Sequence, residues 1–172
     1  MKTLSAAILI ACVPLTTTNA EFGKDASYFC IAEFAGGLAY DERMKKWKGT
    51  AIRIEQKFVL RLKHLRTQAK SAFTEAVYDY NVTITEVGTN LARMCEAYPN
   101  PQVTVPEFGW LVCDVGLREY RFNLKTNRFL SVYLVGYADG IDNDNNAPSI
   151  VGGTCTEISG HSPEISGHSR RE

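Results

Sequence analysis

Hydrophobic and polar residues alternate along most of this chain, as they do in β-strands that bury one face. In residues 57–63, Phe58, Leu60 and Leu62 share one face, and the other face is mostly basic. Residues 78–85 alternate in the same way and end at a Gly-Thr-Asn turn. The same period of two predicts further strands at 27–34, 38–40, 50–54, 108–115, 117–124, 128–137 and 150–158.

Segments that lack this period are predicted to form the connections between strands. Gly36-Gly37 is expected to break the chain between the first two strands, and three prolines make 96–107 an extended loop. Residues 139–147 form an acidic, Asn-rich loop. Between 63 and 78, apolar residues recur at helical spacing, which predicts one short helix. These helical positions are Ala69, Ala72, Phe73, Ala76 and Val77.

The pattern as a whole predicts a mainly β protein. About eight strands with short turns favour a single antiparallel β-barrel or β-sandwich, with at most one short helix. Pairing between strands that are neighbours in sequence would close such a sheet and remove its exposed edges. We place this single β domain at residues 21–158.

The N-terminal residues have the features of an export signal. Lys2 precedes a short apolar run at residues 4–13, and small residues then lead to Ala20, after which a cut is expected. Residues 1–20 are therefore predicted to be a signal peptide, and the protein periplasmic or secreted. The run is too short to span a bilayer. Leu9-Ile10-Ala11-Cys12 also fits the lipobox of bacterial lipoproteins, so an anchor at Cys12 is the alternative.

The C-terminal end contains a short duplication. Residues 157–162 read Glu-Ile-Ser-Gly-His-Ser, and the same six residues recur at 164–169. A polar duplication without a hydrophobic set of its own cannot bury a core. We predict that residues 159–172 are a disordered tail.

Four cysteines remain once the signal peptide is removed: Cys30, Cys95, Cys113 and Cys155. An even number in an oxidising compartment favours two disulfides. Of the three possible pairings, we predict Cys95–Cys113, which closes a proline-containing loop, and Cys30–Cys155, which joins the first strand to the last. A zinc site is the alternative, but no Cys-x-x-Cys spacing is present.

Charge is balanced overall but uneven along the chain, with 19 basic and 19 acidic residues. Residues 43–70 contain ten Lys or Arg and one acid, whereas residues 71–160 contain five bases and eleven acids. A basic patch there would suit an anionic envelope polymer or a lipid surface. A solvated sheet face is the alternative, and the balanced total argues against nucleic acid. The predicted patch comprises Lys45, Lys46, Lys48, Arg61 and Lys63.

Catalytic and metal chemistry have few candidates. His64 is the only histidine between residues 21 and 158, and no nucleophile motif accompanies it. Asp142-Asn143-Asp144-Asn145-Asn146 resembles the start of a calcium loop, and Asp139 adds one more carboxylate nearby. Ala147 stands where that loop needs glycine, which favours a solvated turn. We therefore predict no catalytic residue, no metal site and no cofactor.

Two function classes follow. A non-catalytic binding or envelope-associated module comes first. A secreted hydrolase that uses scattered carboxylates, such as Glu33, Asp41 and Glu42, is the alternative.

The aromatic residues suggest either a ligand cup or a packed core. In a barrel, inward-facing rings would line a cup for an apolar or sugar-like ligand, whereas cross-strand aromatic pairs would fill the interior. The candidates are Tyr28, Tyr40, Trp47, Tyr78, Tyr80, Phe108, Trp110, Phe122, Phe129 and Tyr133.

The chain resembles a family of small exported bacterial proteins of uncharacterised function. The resemblance covers nearly all of residues 28–155 and implies a shared fold and export, without an activity or functional residues. It is carried by Tyr28-Phe29-Cys30, Gly36-Gly37-Leu38-Ala39-Tyr40-Asp41, Trp47, Lys57-Phe58-Val59-Leu60, Trp110, Cys113, Phe122-Asn123-Leu124, Thr126, Arg128-Phe129, Gly136-Tyr137 and Gly153-Thr154-Cys155.

A looser similarity links the chain to the small periplasmic barrels that inhibit C-type lysozymes. The shared features are the signal peptide, the size, an early Tyr-x-Cys at residues 28–30 and a disulfide. That family carries an inhibitory motif with Ser-Gly followed by Tyr. Here Ser159-Gly160 and Ser166-Gly167 lie in the tail and lack the Tyr.

The export signal predicts the mature N-terminus. Signal peptidase should cut after Ala20, so the secreted chain should begin at Glu21. N-terminal sequencing and intact mass of the exported protein measure this directly. A mature protein that begins with a lipidated Cys12 would contradict the prediction and place the protein on a membrane.

Overall fold

The structure is a computed structural model that describes residues 21–72, 74–143 and 145–158. The predicted signal peptide, the lipobox cysteine and the predicted tail lie outside the described residues, and so do Phe73 and Asp144. No helix within those ranges is long and apolar enough to cross a membrane.

The described residues form ten strands and one short helix, which confirms the predicted mainly β class. Two strands, β5 and β6, were not predicted and have four residues each. In chain order the elements are β1 (Ala26–Asp41), β2 (Lys46–Ala51), β3 (Lys57–Gln68), β4 (Val77–Glu86), β5 (Ala92–Cys95), β6 (Val103–Pro106), β7 (Trp110–Val115), β8 (Arg118–Asn123), β9 (Arg128–Tyr133), α1 (Val135–Ala138) and β10 (Ser149–Glu157).

All strand pairs are antiparallel and belong to one sheet, in the order β5-β4-β3-β1-β10-β9-β8-β7. The short strands β2 and β6 add to β1 and β4 respectively. The long strand β1 is central, since it pairs with β3 over its first half, with β2 over its second half, and with β10 along most of its length. Strands that are neighbours in sequence therefore pair as hairpins, and β1 connects these hairpins into one sheet.

The glycine pair at 36–37 does not break β1, contrary to the prediction. Gly37 lies where the chain before β10 crosses closely, and a Cβ there would overlap the carbonyl oxygen of Pro148. The amide of Leu38 donates a 2.9 Å hydrogen bond to that same oxygen. Glycine is needed here for a close approach of two backbones and not for a turn.

The predicted helix around Ala72 is also wrong, because the described residues there form a loop between β3 and β4. Ser71 and Thr74 form a local turn in that loop, with hydrogen bonds between their hydroxyl and backbone groups. The one helix, α1, instead follows β9, where a continuing strand was predicted. The three alanines at helical spacing, Ala69, Ala72 and Ala76, stabilise a helix too weakly to compete with the turn that these two hydroxyls form.

The inward faces of the strands form a filled aromatic and aliphatic core. Phe58 lies near its centre, with edge-to-face contacts to Tyr120 and Phe129 at centroid distances of 5.6 and 4.9 Å. Tyr28 packs edge-to-face on Phe122 at 4.9 Å. Half of the ten predicted aromatic residues belong to this core or pack against it, as the packed-core alternative expects.

The buried carboxylate of Asp79 links three strands. It accepts hydrogen bonds from Arg66 on β3 and from Thr104 on β6, while the residue itself is on β4. Burial raises the pKa of this carboxyl, but the hydrogen bonds from Thr104 and Arg66 outweigh burial and lower its pKa overall. Asp79 is therefore held charged and anchors the short strand β6.

The two disulfides pair as predicted, Cys30 with Cys155 and Cys95 with Cys113. The first joins β1 to β10 and the second joins β5 to β7, the two ends of the strand order. Next to the second, Glu96 and Asp114 exchange two backbone hydrogen bonds of 3.0 and 2.8 Å. The sheet therefore curls until its ends meet at one seam, without a full closing ladder. Two disulfides of this kind suit an oxidising compartment.

The seam should depend on its disulfide. In Cys95→Ala/Cys113→Ala, loss of an 18-residue cross-link should reduce the free energy of unfolding by about 3 kcal/mol. Denaturant titration measures that loss. Amide exchange at Glu96 and Asp114 should also accelerate, whereas the amide of Phe29 in the central ladder should stay protected. Unchanged protection at Glu96 and Asp114 would show that other contacts hold the seam.

The buried phenol of Tyr28 should make the fold sensitive to alkali. Burial, and next the charge of Glu157, raises its pKa from 10.0 to about 12. Above pH 10 the phenol of Tyr28 loses its proton in the unfolded chain before it does so in the folded protein. The free energy of unfolding should therefore fall by roughly 2–3 kcal/mol as the pH rises from about 10 to about 12. Denaturant titrations over this range should show a shallower fall for Tyr28→Phe. Tyr98→Phe, at a 96% exposed position, is the control and should match the parent.

Candidate binding cavity at the open end of the sheet

A cavity lies at one end of the curled sheet, and we call it the mouth. It is a cavity of about 560 Å³. Its walls come from β1, from the link between β2 and β3, from the end of β4, from the start of β8 and from the chain that enters β10. Apolar walls are provided by Ala35, Ile52, Ile54 and Val151.

Arg118 points into this cavity because of its position on β8. It lies on the same strand face as Tyr120 and Phe122, whose rings belong to the core. Its Nη1 donates a 3.1 Å hydrogen bond to the hydroxyl of Ser131 on β9, which is fully buried at 0% exposure. The sheet thus holds a half-buried guanidinium on the inner side of the mouth.

This guanidinium has an aromatic neighbour and a hydroxyl neighbour, and Glu86 lines the same cavity without forming an ion pair with it. Its central carbon lies 5.7 Å from the ring centroid of Tyr133. Among the described residues, Arg118 takes part in no ion pair. A half-buried charge without a counter-charge is costly in a folded protein, which makes Arg118 a feature that needs a functional explanation.

Further polar groups converge on the same place. The amide of Gln56 donates a 3.4 Å hydrogen bond to the hydroxyl of Tyr120. Burial raises the pKa of that phenol, against the opposing effects of the Arg118 charge and of hydrogen bonds to Ser131 and Gln56. The hydroxyl therefore stays protonated near neutral pH.

The charges around the mouth sum to a small positive excess. Arg53, Lys57 and Arg118 are basic and Glu55 and Glu86 are acidic, so the five groups give +3 − 2 = +1. Arg53 and Glu55 neutralise each other in an ion pair of 2.9 Å. A smaller pocket of about 110 Å³ shares Glu86 and Arg118 with the mouth and adds a further arginine, Arg93.

The sequence-predicted basic patch is divided between two places. Lys46 lies opposite Asp41 at one end of β1, and Arg61 lies opposite Ser27 at the other end. Fourteen residues of strand separate these two positions of β1, roughly 45 Å if the strand were straight.

At the β2 end of that strand, two of the predicted lysines already have acidic partners. Lys48 pairs with Asp41 at 2.8 Å, and Lys45 pairs with Glu42 at 3.0 Å. Lys63 lies with Arg61 at the far end, on β3. The five residues are thus not brought together.

The acidic loop forms local turns within its described residues. The carboxylate of Asp139 accepts a 2.9 Å hydrogen bond from the amide of Ile141. Asp142 accepts one of 2.8 Å from the indole of Trp47. Asp144, the third predicted calcium ligand, lies outside the described residues. Within residues 21–72, 74–143 and 145–158, no three His, Cys, Asp or Glu side chains are placed to hold a metal ion.

His64 is engaged in local contacts on β3. Its Nε2 lies 3.0 Å from the hydroxyl of Thr67, and its ring meets Tyr80 edge-on at 5.5 Å. Its backbone amide donates to Asp25. These contacts tie the imidazole to side chains of β3 and β4.

The three carboxylates predicted for a hydrolase do not form a pair. Asp41 and Glu42 have the lysine partners given above, and Glu33 accepts a hydrogen bond from Thr154. A pair that the sequence did not indicate is Asp114 and Glu119, directly opposite on β7 and β8. Burial, and next the charge of Glu119, raises the pKa of Asp114.

This acidic pair is a poorer candidate site than the mouth. Arg121 binds Glu119 at 2.6 Å, and Asp114 is exposed on the outer face of the sheet. Glu119 is therefore not free to act as a second catalytic carboxylate.

The outer face also carries a groove, of about 570 Å³, with two large aromatic side chains along it. Phe34 is 55% exposed and Trp110 is 46% exposed. Of the charged groups in this groove, Arg121 pairs with Glu119, Glu33 accepts a hydrogen bond from Thr154, and Arg128 is exposed. Among the described residues, a half-buried charge in no ion pair occurs at Arg118, which lines the mouth and the small pocket beside it.

Sequence analysis missed Arg118, although a signal for it is present. In residues 118–122, Arg118 stands on the same alternating phase as Tyr120 and Phe122, so it occupies an inward position of the strand. A cation on the apolar phase of a strand is unusual, because burying it is costly. Ser131, which binds Arg118, and Gln56, which binds Tyr120, come from another strand and from a connection, and neither had such a signal.

Comparisons with protein-family models, curated proteins and solved structures find no match to this chain. The geometry of the mouth therefore carries the functional argument.

Proposed function

We propose that this protein is an exported, non-catalytic binding module that holds a small ligand in the mouth. The observation that carries the proposal is the cavity of about 560 Å³ that contains the half-buried guanidinium of Arg118. Ligand sites typically span about 300–1,000 Å³ and combine apolar walls with a few converging polar groups. The mouth has both features.

The site is built on a firm support. Arg118 and Ser131 lie on neighbouring strands of a continuous ladder, and Val151 lies on the next strand along. The disulfide between Cys30 and Cys155 ties that third strand to β1. A pre-formed site loses little conformational entropy when a ligand binds.

Export is part of the proposal. The disulfides suit an oxidising compartment, and the predicted signal peptide would deliver the chain to the periplasm or the medium. Contact with anionic envelope material through the basic segment becomes a secondary role, because its charges are split along β1. Lysozyme inhibition has no support in the described residues, since both Ser-Gly pairs lie outside them.

A substitution inside the mouth should abolish binding of a neutral apolar probe. N-phenyl-1-naphthylamine should fluoresce with the parent protein, and Ser149→Trp should remove most of that signal, because the indole would occupy the cavity that Ser149 lines. Ile150→Trp is the matched control, since Ile150 is the next residue and lies on the outer face. Fluorescence titration measures both affinities.

Three results decide the proposal. Loss of binding in Ser149→Trp with retention in Ile150→Trp supports it. Equal binding by both variants would place the probe on the outer face, at the Phe34 and Trp110 groove, and would contradict it. Absence of binding by the parent would contradict it as well. Circular dichroism and thermal unfolding confirm that each variant is folded.

A further inference from the structure

We infer that the mouth selects ligands that carry an anionic group on a compact apolar body, with Arg118 as the residue that binds the anion. This inference rests on the proposed function, because it names the ligand class of the same cavity. Carboxylates, sulfonates and phosphates share the required chemistry, namely negatively charged oxygens that accept hydrogen bonds from a guanidinium.

Arg118 has hydrogen-bond donors that no described residue uses. A guanidinium has five N–H donors in a planar fork, and in the described residues only the hydrogen bond to Ser131 uses one. The remaining edge suits two parallel hydrogen bonds to a carboxylate or phosphate. The ring of Tyr133 lies beside the guanidinium and restricts its orientation. Arg118 is therefore held in place before a ligand arrives.

The charged groups around Arg118 give the site a net positive charge. The charged groups that face Arg118 across the mouth and the adjoining pocket are Arg53, Lys57, Arg93, Glu55 and Glu86, so with Arg118 itself the sum is +4 − 2 = +2. Glu55 is neutralised by Arg53. Of the described residues that line the mouth, Glu86 is the acid left to oppose an incoming anion, and no ion pair joins it to Arg118. The local potential therefore favours anions over cations.

The arrangement of apolar and polar walls in the mouth suits an amphipathic ligand. Ile52, Ile54 and Val151 line the mouth and would contact an apolar body, while the hydroxyls of Tyr120 and Ser131 lie beside Arg118 at one side. An amphipathic anion can place its charged end on Arg118 and its body on these walls. A free inorganic anion would leave the apolar walls in water and gain less.

Two matched probes test this inference. 8-Anilino-1-naphthalenesulfonate differs from N-phenyl-1-naphthylamine only by its sulfonate group. If the mouth selects anions, the sulfonate should bind the parent about 10-fold more tightly than the neutral probe, or better, because a charge-assisted hydrogen bond to a guanidinium is a strong one. Arg118→Met should remove this advantage while it keeps most of the apolar stem.

Other variants make the test specific. Arg118→Lys keeps the charge but loses the planar fork, so sulfonate affinity should fall between those of the parent and Arg118→Met. Glu86→Gln should bind the sulfonate more tightly than the parent, because the opposing carboxylate is gone. Arg121→Met is the control for charge alone, since Arg121 lies on the same strand but on the outer face.

The results separate this inference from the proposed function. If the neutral probe binds and Ser149→Trp blocks it, but the sulfonate binds no more tightly or Arg118→Met keeps the advantage, the inference fails and the binding function stands. If the neutral probe does not bind the mouth, the proposed function fails. Displacement of the sulfonate by 1-naphthoate indicates a carboxylate ligand, and displacement by 1-naphthyl phosphate a phosphate. Displacement by neither would overturn the inference.

Discussion

The pairing of the first strand with the last is the constraint on which the rest of the structure depends. Along β1 and β10 the two backbones approach so closely that a Cβ at Gly153 would overlap the carbonyl oxygen of Ile31. The disulfide between Cys30 and Cys155 fixes that register. Because β1 also pairs with β2 and β3, this one contact brings the N-terminal and C-terminal halves of the sheet into a single layer with one buried face.

The mouth is a consequence of this arrangement. Once β10 lies beside β1, the residues that enter β10 must pass over one end of the sheet, and Ser149 and Val151 become walls of the cavity. The core below is filled by aromatic side chains, so the cavity is confined to the end of the sheet. A filled core with an open end gives a rigid support for a small binding site, and this favours recognition at the mouth over a large internal ligand.

Partial burial without an ion pair distinguishes Arg118 from the other charged residues that the structure describes. Lys45 and Lys48 have acidic neighbours close by, and buried Asp79 is stabilised by Arg66. Arg118 is half-buried and lacks such a partner among the described residues. The buried charge of Asp79 is thus neutralised within the protein, whereas the charge of Arg118 is not. This difference favours a ligand that supplies the missing negative charge.

The sequence by itself determined the strand character, the positions of most strands and the cysteine pairing, because alternation is a local property and four cysteines allow few pairings. It could not show that Gly37 lies inside a strand, since the close approach of Pro148 comes from a distant segment. Nor could it assemble the mouth, in which Gln56 and Tyr120 meet across 64 residues of chain. Only the tertiary structure decided which residues form the mouth. A local pattern shows which face of a strand a residue occupies, but not which distant residues lie beside it.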